Sequence, residues 1–139
     1  MSTRAMYTFK DERDTIHVYM HSDGYPEGGL SWIANARKLA WPFPRFEASD
    51  FAAAFVGANK QNYGNVRLCG PAYQKASDFS GDSEYWYQIS FRKDNLHIEI
   101  YTVQWWDEPH TETRIFSGTL DKAIKKFKPK WLDDVEKAA

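Results

Sequence analysis

The segment His21-Ser22-Asp23-Gly24-Tyr25-Pro26-Glu27-Gly28-Gly29 holds the most chemically suggestive spacing in the chain. His21 and Asp23 lie two residues apart, and either side chain can carry a proton. Gly28 and Gly29 fall where a helix is expected to begin. Amides exposed at a helix N-terminus attract phosphate, and glycine lets a ligand approach the backbone closely. Arg4 comes near this segment if the first two strands pair, and its guanidinium offers a fork of donors to phosphate or carboxylate. Arg4, His21, Asp23, Tyr25, Gly28 and Gly29 are therefore the candidates for binding a small anionic ligand. Such a site could hold a nucleotide or process a phosphoester. Turn chemistry alone accounts for the same residues: Asp23-Gly24 makes a turn, Tyr25-Pro26 packs it down, and His21 bonds the backbone. No Lys-Ser or Lys-Thr follows the glycines, which excludes a nucleotide-triphosphatase loop.

Other chemistry is weaker. The histidines are His17, His21, His97 and His110, without the helical His-Glu-x-x-His pattern, so no metal and no cofactor is expected. Cys69 lies between Leu68 and Gly70, where a thiol reads as a small inert hydrophobe. No catalytic residue is assigned, and an enzyme is the less favoured class. Trp105-Trp106-Asp107 precedes Glu108-Pro109-His110. Side chains alternate along a strand, so one of the two tryptophans faces away from the core. Trp105, Trp106 and Asp107 are the candidate protein contacts, with burial of both rings under a doubly covered sheet as the alternative. Five lysines between Lys122 and Lys130 read as a solvated helix face rather than a phosphate-binding stripe.

The elements that must position these residues follow from periodicity. Ala5–Phe9 and Thr15–Met20 read as strands joined by the charged loop from Lys10 to Asp14. Leu30, Ile33, Ala34 and Arg37 share a helical face, and Trp41-Pro42-Phe43-Pro44 ends that helix. A second helix spans Glu47–Ala58, with Phe51 and Phe55 at i and i+4. Val66–Cys69 is a short strand, and residues 72–83 read as an irregular surface segment. Tyr85, Tyr87, Ile89 and Phe91 alternate with Trp86, Gln88, Ser90 and Arg92. After Lys93-Asp94-Asn95, Leu96, Ile98 and Ile100 alternate in turn, giving a hairpin with one buried face. A strand at Arg114–Phe116 and a helix at Leu120–Phe127, capped by Ser117 or Thr119, complete the order. Trp131, Leu132 and Val135 dock a last helical turn, and residues 133–139 fray. The expectation is one α+β domain over residues 1–139. It is an antiparallel sheet of about five to six strands with two to three helices packed on it. An unpaired edge strand would make a homodimer feasible.

Composition narrows the class. The chain has 139 residues and a formal net charge of −1, so no global attraction to nucleic acid or an anionic membrane is expected. A single cysteine suits a reducing compartment. No apolar run approaches the roughly 20 residues that cross a bilayer, and the opening residues do not resemble a signal peptide. A bacterial cytoplasmic location is the simplest expectation. Nine Phe, eight Tyr and six Trp make aromatics 17% of the chain, an excess that a compact core explains better than a sticky surface.

The stretch from Ser2-Thr3-Arg4 through Tyr19-Met20-His21-Ser22-Asp23-Gly24-Tyr25-Pro26 resembles the opening of a family of small phage and prophage proteins. In that family a Thr-Arg start and a strand pair lead into His-x-Asp-Gly-Tyr. The resemblance covers the opening of the chain, to Gly29, on Arg4, His21, Asp23, Gly24 and Tyr25. It implies a genomic setting and carries no mechanism or catalytic role. In that setting small accessory proteins act stoichiometrically, so the resemblance implies a protein that binds a bacterial host or defence protein, such as a CRISPR complex.

Overall fold

The computed structural model describes residues 3–63, 66–69, 83–104 and 111–131. Six strands and three helices follow the order β1 (Ala5–Lys10), β2 (Thr15–Met20), α1 (Pro26–Leu39), α2 (Ala48–Tyr63), β3 (Val66–Leu68), β4 (Tyr85–Arg92), β5 (Asn95–Gln104), β6 (Thr111–Thr119) and α3 (Leu120–Phe127). The strands form one sheet in the order β3-β2-β1-β4-β5-β6. The fold is α+β, and every strand pair but one is antiparallel.

The exception lies at the centre, where β1 and β4 run parallel with Ala5 opposite Tyr85 and Phe9 opposite Ile89. The expected sheet had only antiparallel neighbours, because hairpin signals relate only adjacent segments. After α1 and α2 the chain adds β3 to the outer side of β2, and β4 then lies on the far side of β1. β1 is thus a central strand, covered by the helices on one face and by the side chains around Met6 on the other. Ala5 through Phe9 are all buried, whereas a half-covered strand buries alternate residues.

The helices of the described residues lie on one face. Ala5, Tyr7 and Phe9 of β1, Tyr87 and Ile89 of β4, and Leu96, Ile98 and Ile100 of β5 pack beneath Leu30 and Ile33 of α1 and Phe51 and Phe55 of α2. Aromatic rings dominate this core. Tyr7 and Tyr87 stack in parallel at 4.6 Å, and Phe55 lies against Tyr7 at 4.6 Å and Phe9 at 5.3 Å. The opposite face carries a smaller cluster of Met6, Tyr19 and Val103 with Trp86 and Cys69.

Local chemistry sets the element ends. Pro26 opens α1, where its missing amide proton costs nothing, so the helix starts before the two glycines. Asp11, in the β1–β2 turn, accepts from the Ala48 amide at 2.7 Å and so serves the start of α2 from another element. Asp11 also accepts from the amides of Arg13 and Asp14, and these bonds, Ala48's foremost, hold its carboxyl below the usual range. Helix α2 continues past Ala58 to Tyr63. Lys93 and Asp94 both take positive φ, the geometry of a two-residue turn that matches strand twist. Strand β6 is longer than Arg114–Phe116, with a register shift opposite Ile100 and Tyr101. The Thr119 hydroxyl, not Ser117, caps α3 by accepting from the Lys122 amide at 3.2 Å. Left-handed Lys128 then ends α3 just before Pro129.

After α3 the chain returns to α1. The Lys130 amide donates to the Glu27 carbonyl, and the Trp131 amide donates to Ser31 Oγ at 3.0 Å. The Trp131 ring stacks on Trp32 at 5.3 Å. Leu132, Val135 and the remaining C-terminal residues lie outside the described residues.

Candidate functional site

The His21–Gly29 segment connects β2 to α1 and is stitched into the core. Asp23 adopts φ 57°, and the Gly24 amide donates to the Thr3 carbonyl at 2.9 Å. The Gly24 carbonyl accepts from the Tyr87 hydroxyl, and the Gly29 carbonyl accepts from the Tyr7 hydroxyl at 3.1 Å. Trp32 Nε1 donates to the Asp23 carbonyl at 3.3 Å. Two fully buried phenols thus find acceptors in this loop, which is what burial of a hydroxyl requires. Burial raises both phenol pKa values well above the ordinary range.

Gly28 and Gly29 are buried. A Cβ on Gly28 would lie 2.7 Å from the Trp131 ring and 3.0 Å from the Asp23 carbonyl. A Cβ on Gly29 would lie 2.5 Å from the Tyr87 hydroxyl and 2.6 Å from that of Tyr7. Both amides point to the Tyr25 carbonyl. The close approach that glycine permits here is therefore to the protein's own aromatic residues.

The sequence candidates separate into two groups. Arg4 Nε donates to His21 Nδ1 at 3.4 Å, and the Tyr19 hydroxyl lies 2.9 Å from the same nitrogen. Arg67 of β3 lies over the Tyr19 ring at 4.7 Å. Arg4, His21, Tyr19 and Arg67 thus form one polar cluster at the β2–β3 side of the sheet. Asp23 and Tyr25 form the other group, joined by a 3.4 Å bond from the Tyr25 hydroxyl to Asp23 Oδ1, with Lys130 Nζ 5.3 Å from the Tyr25 ring.

Trp105, Trp106 and Asp107 lie outside the described residues. Among the described residues no group of three or more His, Cys, Asp or Glu side chains is placed to hold a metal ion. The five lysines from Lys122 to Lys130 are all exposed, and Lys126 sits over Phe116 and Phe127. No helix among the described residues is long and apolar enough to cross a membrane.

Cys69 sits beside the Met6–Tyr19 cluster, and desolvation pushes its thiol up to about 12, a shift that Arg67 only partly offsets. At pH 8 its thiolate fraction is then on the order of 10⁻⁴. Labelling by a disulfide reagent is expected to be at least about a hundredfold slower than for a free thiol, with urea restoring the ordinary rate. Rapid labelling of the native protein would show an activated cysteine instead.

A feature absent from the sequence candidates stands on the corner between α1 and α2. Trp41 is 37% exposed and Leu39 61% exposed, unusual values for side chains so apolar. The Trp41 amide donates to Asp50 Oδ2 at 2.9 Å, which fixes the backbone. The Arg45 guanidinium lies 3.5 Å above the Trp41 ring centroid and fixes the ring. Leu39 lies over Gly57 of α2, where a Cβ would come within 3.8 Å of it. The result is a preset Leu39–Trp41–Arg45 surface flanked by exposed Pro42 and Pro44. The available signal was Trp41 placed just past the helix end and directly before Pro42, where no core-facing periodicity demands an aromatic ring. Comparison with protein-family models, with curated proteins and with solved structures finds no match to this chain.

Proposed function

We propose that this chain is a phage- or prophage-encoded accessory protein that acts stoichiometrically, by binding a bacterial host or defence protein such as a CRISPR complex. The observation that carries the reading is the Leu39–Trp41–Arg45 surface. Trp and Arg are the residue types that most often anchor protein interfaces, and rings held in place before binding lose little entropy on docking. The N-terminal resemblance supplies the phage setting and the class of partner. Bacterial cytoplasm is the compartment in which such a partner would be met.

A second reading places a small anionic ligand, a nucleotide or a phosphoester, beside the His21–Gly29 loop. It is favoured by the Arg4–His21 pair, which brings a guanidinium and an imidazole to one place.

Titration separates the two readings. The purified protein is added in steps to a purified CRISPR effector complex while target cleavage is followed. A binding inhibitor abolishes cleavage as the protein reaches molar equivalence. Inhibition that grows with time at a small fraction of an equivalent would identify turnover and sink the stoichiometric reading. An effector unaffected at large excess would remove this target.

A further inference from the structure

We infer that the cleft at the open end of the central strands binds a planar organic anion of the nucleoside monophosphate class. The cleft lies where the β1–β2 turn, the entry to α2 and the end of β4 meet. Its volume is about 560 Å³, within the range of small-molecule sites. Phe46 and Phe91 line it, half-buried and stacked on each other at 5.5 Å and 9°. Lys10 and Arg92 flank Ser90 on the sheet side. The same three residues also line an adjoining cavity of about 160 Å³ on the sheet face away from the helices.

The charges around the cleft are not equivalent. Of the three acids in the lining, Asp11 is occupied by three backbone amides, Glu47 pairs with Arg13 at 3.6 Å and Arg45 at 3.8 Å, and Glu12 is exposed at the turn. Arg13 is thereby drawn to the α2 side. Lys10 and Arg92 have no ion pair among the described residues, and both are exposed. The cleft therefore has an apolar aromatic wall on one side. At its rim the lining also holds the Lys10 ammonium and the Arg92 guanidinium. A base fits the wall and a phosphate the rim, because charge-assisted bonds from Lys and Arg suit phosphate oxygens. This site shares no residue with the Leu39–Trp41 surface, so it stands independently of the proposed partner.

Adenosine monophosphate is the probe, titrated by calorimetry against the whole chain, with adenosine and inorganic phosphate as separate arms. Saturable binding is expected with a dissociation constant below about 1 mM. Arg92→Ala and Lys10→Ala are each expected to weaken it at least about fivefold, while Lys130→Ala, on a different surface, leaves it unchanged. Both test residues are exposed, and unchanged melting temperatures confirm folding. No saturable binding at several millimolar overturns the inference. So does equal affinity for inorganic phosphate alone, because the aromatic wall then contributes nothing. Wild-type affinity in both folded variants overturns it as well.

Discussion

Gly29→Ala is expected to lower the melting temperature by about 10 °C, corresponding to roughly 3 kcal/mol for a chain of this size. The added methyl would lie 2.5 Å and 2.6 Å from two phenol oxygens and 2.9 Å from the Gly24 carbonyl. Neither ring can retreat, because Tyr7 and Tyr87 are fully buried and stacked on each other at 4.6 Å. Relief therefore breaks at least one buried hydroxyl bond in addition to the overpacking. Gly57→Ala provides the opposite sign. Gly57 is exposed within α2, and a Cβ there meets only Leu39 at 3.8 Å. That substitution is expected to stabilise by about 0.5–1 kcal/mol through helix propensity. Thermal denaturation of the two variants beside wild type checks both. A Gly29→Ala protein as stable as wild type would show that the loop does not press on the tyrosine pair.

Alkaline unfolding is the second large effect. Tyr7 and Tyr87 have raised pKa values in the folded state, caused first by desolvation and then by neighbouring acidic groups, Asp23 for Tyr7 and Tyr7 itself for Tyr87. In the unfolded chain both titrate near 10. Below that pH both states hold the protons, and stability does not depend on these groups. Above it the unfolded state releases two protons that the folded state retains. Stability then falls by up to about 1.4 kcal/mol per pH unit for each tyrosine, or about 2.7 kcal/mol for the pair. A typical domain stability of roughly 5–15 kcal/mol is consumed within a few units. The expected result is a steep loss of melting temperature above about pH 10. Tyrosinate absorbance should rise in two stages, exposed phenols first and the buried pair only with unfolding. Tyr87→Phe should shallow the alkaline slope to about half while costing about 1 kcal/mol at neutral pH through the lost bond to Gly24. Full ionisation of every tyrosine in a chain that keeps its native circular dichroism would contradict this account.

Both effects arise from residues whose partners are distant in sequence, and this marks the limit of what the sequence shows. The β4–β5 hairpin and α3 were legible because alternation and helical period act within a few residues. The aromatic surplus was legible as core, and Tyr7, Phe9, Phe51, Phe55 and Tyr87 fill it. The parallel contact of β1 with β4 was not, because no local signal records a partner so far along the chain. One trace was present: Ala-Met-Tyr-Thr-Phe lacks the polar alternation of a half-covered strand. Gly28 and Gly29 read either as anion-binding candidates or as turn residues, because sequence shows their freedom and hides the rings beside them. Asp11 read as loop charge, although it caps a helix that begins far downstream. Trp41 read only as a helix stop, since exposure depends on what packs against a residue and not on its type.

The central claim, that the α1–α2 corner makes the binding contact, is tested most directly by plating a CRISPR-targeted phage on bacteria that express the protein. Wild type is expected to restore plaques. The Leu39→Ser, Trp41→Ala double variant is expected to lose at least about tenfold of that restoration, since truncating an interface anchor costs about 2 kcal/mol or more. Its melting temperature should stay near wild type, because both side chains are exposed. Full restoration by the folded double variant would contradict the claim.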